Sequence, residues 1–285
     1  MGSLLEALFE PLQFGFMQRG LAASVLVAVI CGILGSFVVL KGLAFIGDAL
    51  AHASFGGVAI AFVLGLNIYL GAFVFALATA FGIGAITRQG RVTSDTAIGV
   101  LFSGTFALGI LIVSRVENYT TDLFGYLFGD VLSITGADLA AIGLLGVVVL
   151  ALLAVFYRQL VFAAFDPTVA AASGLRAGAL DYLLLALLGA TIVTAIQAVG
   201  IVMVVAMLVT PAATAYLFSP RFSYMIAASA GIGVVAAGLG IYLSYYLDVA
   251  SGAAIILVAT AIFLVAFAVT GLPRKAPAAS SAGES

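Results

Sequence analysis

The chain has 285 residues, of which 65% are hydrophobic and only 8% charged, with a formal net charge of -2 and a mean hydropathy of +1.32. A soluble domain carries about 25% charged residues, so this composition excludes one and describes a polytopic membrane protein. The near-zero charge gives no footing for nucleic acid, and a single cysteine, Cys31, excludes a disulfide framework and reads as core filler.

Residues 1–15, with Glu6, Glu10 and Pro11, lack the basic start of a signal peptide and read as an interfacial segment. Apolar runs long enough to span then follow at roughly 21–40, 44–66, 70–86, 96–113, 138–157, 180–199, 201–218, 224–246 and 250–269. The expected fold is therefore an all-α bundle of eight to nine transmembrane helices, with the junction at Gly200 as the weakest break. Runs of this length, with 33 glycines suited to close helix contact, do not fit the short alternating strands of a β-barrel. Residues 1–270 form one membrane domain. The tail 271–285, rich in Pro, Ala and Ser, is expected to be disordered.

Basic residues set the orientation. With the first span running outside to inside, Lys41, Arg88, Arg91, Arg158, Arg176, Arg221, Arg274 and Lys275 are cytoplasmic, and Arg19 and Arg115 are external.

The second span holds the main functional candidate. Asp48 and the only histidine, His52, lie four residues apart in Phe45-Ile-Gly-Asp-Ala-Leu-Ala-His-Ala-Ser-Phe-Gly-Gly57. That spacing puts both side chains on one helix face, about 6 Å apart along the axis. Ionisable groups at membrane depth mark an ion or substrate path, and a carboxylate with an imidazole suits a divalent cation. A histidine making one interhelical hydrogen bond is the structural alternative.

Other polar signals read locally. Asp95 is expected to cap the helix that follows it. The cytoplasmic segment 158–180 contains Phe165-Asp-Pro-Thr-Val-Ala-Ala-Ala-Ser-Gly-Leu-Arg176, a two-turn helix with Asp166 as cap, Pro167 at its first position and Gly174 ending it. This helix either lies along the membrane or docks a cytoplasmic partner. Gln197 reads as interhelical glue, and Pro211 implies a kink, structural or gating. Asn118-Tyr-Thr matches a glycosylation acceptor by chance, and no phosphate-binding loop ending in Gly-Lys-Ser/Thr occurs, so the chain does not bind ATP through one.

Four stretches together carry a resemblance: Gly47-Asp-Ala-Leu-Ala-His-Ala53, Ser94-Asp-Thr-Ala-Ile-Gly-Val100, Leu123-Phe-Gly-Tyr-Leu-Phe-Gly-Asp130 and Val209-Thr-Pro-Ala-Ala-Thr-Ala-Tyr216. Over nearly its whole length the chain resembles the membrane permease subunits of bacterial ABC importers for manganese, zinc and iron(II). Ala195-Ile-Gln-Ala-Val-Gly200 and Val202-Met-Val-Val-Ala-Met-Leu-Val-Thr-Pro211 look closest to the manganese members.

The resemblance implies the permease fold of these importers in the bacterial plasma membrane. It implies two copies of this subunit, two cytoplasmic ATPase subunits and an extracytoplasmic metal-binding protein, with no tightly bound cofactor and no enzymatic activity in the chain itself. It maps the metal pair onto Asp48 and His52. The coupling helix maps onto Phe165, Asp166, Ala170, Ala171 and Gly174, although this segment has Asp where many ABC permeases carry Glu-Ala-Ala.

Twofold symmetry would gather two Asp48 and two His52 on one ion. Oxygen and nitrogen ligands suit Mn²⁺, Zn²⁺ or Fe²⁺ and not Cu(I). The rival reading is an ion-coupled secondary transporter or channel, which needs no ATPase. A membrane metalloenzyme lacks a sufficient ligand set.

Overall fold

The computed structural model describes residues 10–115 and 131–271. In an apolar solvent each backbone amide must find its partner within the chain, so stretches this apolar fold as helices. They are α1 (Gly15–Leu40), α2 (Ile46–Val63), α3 (Ile68–Arg88), α4 (Ser94–Val113), α5 (Gly136–Phe165), α6 (Pro167–Ala172), α7 (Ala177–Val199), α8 (Ile201–Tyr216), α9 (Phe222–Leu247) and α10 (Ser251–Gly271). Single 3₁₀ turns precede α1 and α5 at Pro11–Gln13 and Val131–Ser133. Among the described residues no strand occurs.

Eight of these helices are long and apolar enough to cross a membrane; α8 is shorter. Its 16 residues extend about 24 Å, less than the roughly 30 Å of a hydrocarbon core. Even so, α8 runs from one end of the bundle to the other. Val202 and Met203 lie beside Gly252 and Ala253 at the start of α10, while Ala212 and Ala215 pack on Met225 at the start of α9. Gly200 separates α7 from α8 with φ +79°, a conformation that glycine adopts without a steric penalty. The expected span at 201–218 is thus a short pass. Helix α5 differs in the other direction, continuing through Arg158 to Phe165 because that side chain sits on an exposed face and does not oblige the helix to stop.

Helix α1 is the central pillar, packed by α5, α8 and α9. Gly35 lets it meet α8, since a Cβ there would collide with the Leu208 carbonyl. At the α9 crossing, Ser229 and Ser36 both donate to the Gly32 carbonyl, at 2.8 and 3.0 Å. Such small residues allow backbones to approach where no hydrophobic force drives helices together.

Two aromatic clusters mark the ends. Phe222, opening α9, packs edge-on against Phe37 of α1 and Phe165 of α5, with ring centroids 4.9 and 5.9 Å away. Phe14, just before α1, faces Tyr245 near the end of α9. Lys41 closes α1 and pairs with Asp181 of α7 at 2.8 Å. Lys41, Arg88 and Pro167 border one cleft, so these basic residues and α6 share an end of the bundle, as the charge pattern requires.

Candidate metal-transfer site

Helix α2 starts at Ile46, and Asp48 sits in its first turn, where a negative charge is favoured by the unpaired amides of a helix start. His52 follows one turn on. Its Nδ1 donates to the Asp48 backbone carbonyl at 3.0 Å and lies 3.2 Å from Asp48 Oδ1. With the Asp48 carbonyl accepting, Nδ1 is the donor, and in the neutral imidazole Nε2 keeps its lone pair. A carboxylate that holds one nitrogen of an imidazole in this way fixes the orientation of the ring.

The spacing alone placed both side chains on one ion, and the folded geometry refines this. The histidine nitrogen nearer Asp48 is occupied by Asp48 itself, leaving Nε2 and the remaining carboxylate valence to meet an ion. The Asp48 side chain is 43% exposed and that of His52 20%, so the carboxylate is the more open of the two.

Helix α4 fixes the imidazole. Phe102 and Phe106 stack on each other with ring planes 6° apart, and the His52 ring stands perpendicular to both, 5.2 Å from each. Close approach of α4 to α2 makes this possible: a Cβ on Gly109 would press on Phe55 and the Gly56 backbone. The four-residue spacing of Phe102 and Phe106 is visible in the sequence, but their role was not. Among the described residues, no group of three or more His, Cys, Asp or Glu side chains assembles. Asp48 and His52 are therefore the two candidate ligands that one chain offers there. They lie in the first half of α2, nearer the end of the bundle that carries Lys41 and α6.

The segment Phe165–Arg176 folds as its residues predict. Asp166 accepts from the Val169 amide at 2.9 Å, Pro167 opens α6, and Gly174 closes it with φ +84°. Phe165, Asp166 and Ala171 are exposed. Ala170 departs from expectation: it is 0% exposed, packed into the helix bundle's own core, so it secures α6 and offers no surface to a partner.

Asp95 likewise does not cap α4. Thr93 does, accepting from the Thr96 amide at 3.3 Å, and Asp95 occupies the first turn. Asn118, the Leu123–Asp130 motif and the tail from residue 272 lie outside the described residues, as does the Gln197 side chain.

The family model described as the ABC 3 transport family matches residues 13–270. The chain belongs to this family. It is a multi-pass permease of the bacterial plasma membrane. It is 45% identical over 256 residues to the "Manganese transport system membrane protein MntC" of Listeria innocua, covering 90% of this chain and 91% of that one. It is 42% identical to the "Manganese import system permease protein ScaB" of Streptococcus gordonii, covering 89% and 91%. A solved structure, "PsaBC from Streptococcus pneumoniae in complex with Fab", superposes with a TM-score of 0.81 at 39% identity, covering 92% of this permease and 95% of that chain.

Proposed function

We propose that this ABC 3 permease is the membrane subunit of an ATP-driven importer of manganese(II), and that two copies build its metal path around Asp48 and His52. The observation carrying this reading is the oriented pair itself: one imidazole nitrogen is held by Asp48, the other is free, and two ligands per chain are too few for an ion in transit. A second copy related by a twofold axis doubles the set to two carboxylates and two imidazoles. Hard oxygen with borderline nitrogen suits Mn²⁺, and the manganese-named relatives favour it over zinc or iron(II).

On this reading an extracytoplasmic protein delivers the ion, and ATPase subunits dock on α6 at the cytoplasmic end. His52 takes the ion through Nε2 while Asp48 holds the ring and shares the charge. Phe102 and Phe106 pack against the imidazole and limit its rotation. Few ligands make the site a waypoint that releases as readily as it binds.

The test is uptake of radiolabelled manganese into vesicles carrying the assembled complex. The expected result is ATP-dependent uptake that Asp48→Ala or His52→Ala abolishes at normal membrane insertion. Uptake by the permease alone, without ATPase or ATP, would establish a secondary transporter. Preferential competition by zinc or iron(II) would reassign the metal.

A further inference from the structure

Away from the metal pair, a cleft of about 340 Å³ opens at the α6 end, between α1, α2, α3 and α7, with Pro167 of α6 on its border. Its two parts differ in chemistry. The floor is apolar: Leu43, Ile46, Ile83 and Leu184 line it, and all four are buried. The polar rim carries Arg88, Lys41 and Asp181 with the hydroxyls of Thr87 and Ser94, two positive charges against one negative.

Each rim group has a distinct state. Lys41 is engaged by Asp181 at 2.8 Å. The Arg88 guanidinium lies over the Tyr182 ring at 5.5 Å from its centroid and makes no ion pair among the described residues. Thr87 Oγ1 is buried without a hydrogen-bond partner. A guanidinium without a counter-charge and a hydroxyl without a partner, both bordering one cleft, suit an anion, since guanidinium matches phosphate oxygens and a buried hydroxyl needs a partner. The charges are placed where the last turn of α3 and the end of α1 reach the membrane surface, the level of lipid phosphates.

We propose that this cleft binds an anionic phospholipid, with the headgroup phosphate on Arg88 and Thr87 and an acyl chain on the apolar floor. The floor decides for a lipid over free phosphate, which has no apolar part to bury there. Basic pockets between helices on the cytoplasmic side have this chemistry. Because Pro167 and Asp181 border the same cleft, an occupant would stiffen the joint between α6 and α7, next to where the ATPase is proposed to dock. The site stands independently of the metal reading.

The test is native mass spectrometry of the purified permease–ATPase complex in micelles with equal phosphatidylglycerol and phosphatidylcholine. Phosphatidylglycerol should be retained preferentially, and Arg88→Gln should lower that preference about fivefold, the effect of one basic group at a lipid surface. Arg19→Gln, at the opposite end, should leave it unchanged. If Arg88→Gln does not accumulate, Thr87→Val serves. Removing an unpartnered hydroxyl is harmless to an empty cleft but lowers retention from an occupied one.

Equal retention of the two lipids, or unchanged preference in these variants, overturns the proposal. Displacement of phosphatidylglycerol by excess inorganic phosphate makes the rim a free-phosphate site and also overturns it. Loss of ATPase co-purification in Arg88→Gln with lipid preference intact assigns the cleft to the partner protein instead.

Discussion

Neighbouring alanines on α6 separate the docking role from the folding role. Ala170 is fully buried and Ala171, one position on, is exposed. A glutamate at 171 keeps a good helix former on a solvated face, a change of within about 0.5 kcal/mol for the permease alone. A glutamate at 170 inserts four heavy atoms and a charge into a packed cluster, costing about 1–3 kcal/mol for overpacking and several more for an unpaired charge. Total stabilities are typically about 5–15 kcal/mol, so the second variant should fail to fold properly.

The first variant should melt like the parent yet clash in a partner groove. A loss of about 2 kcal/mol at such a contact weakens association roughly 30-fold. The assay pairs thermal melting of the isolated permease with ATPase pull-down and ATP-driven manganese uptake. Normal pull-down and uptake for Ala171→Glu would remove α6 from the docking surface. Normal melting for Ala170→Glu would contradict the burial on which the distinction rests.

Three further outcomes are expected. Gly35→Val, which drives a Cβ into the Leu208 carbonyl, should destabilise the α1–α8 crossing by about 1–3 kcal/mol or more, seen as lower monodisperse yield. Thr93→Ala should cost about 1 kcal/mol and raise hydrogen exchange in the first turn of α4, whereas Asp95→Ala should change exchange there much less. Phe102→Ala with Phe106→Ala should weaken manganese affinity about tenfold by freeing the His52 ring, with transport at saturating metal retained; unchanged affinity would reduce both rings to packing.

The meeting of Asp48 and His52 was legible because i, i+4 spacing is a property of any helix, whatever surrounds it. The caps of α6 were legible for the same reason: Asp166, Pro167 and Gly174 act through their own backbone geometry. What surrounds them was not. In a six-residue helix of mostly small side chains nothing distinguishes Ala170 from Ala171, and only the packing of α5 and α7 turns one inward. The aromatic clamp on His52 depends on the rotation of α4, which the glycine contacts at Gly56 and Gly109 decide across two spans. Thr93 and Asp95 are both capping types two residues apart, and the extended backbone of Thr93 selects it. The brevity of α8 likewise follows from the turn at Gly200 and not from any loss of hydrophobicity.

The chain's single histidine makes the central claim directly measurable. Manganese(II) bound to the assembled complex, with only the permease carrying ¹⁵N-histidine, can be read by electron spin echo envelope modulation. The account predicts coupling to two equivalent imidazole nitrogens, one His52 from each copy, at one ion per two permease chains, lost in His52→Gln. Coupling to a single histidine nitrogen, one ion per chain, or no nitrogen coupling at all would contradict it.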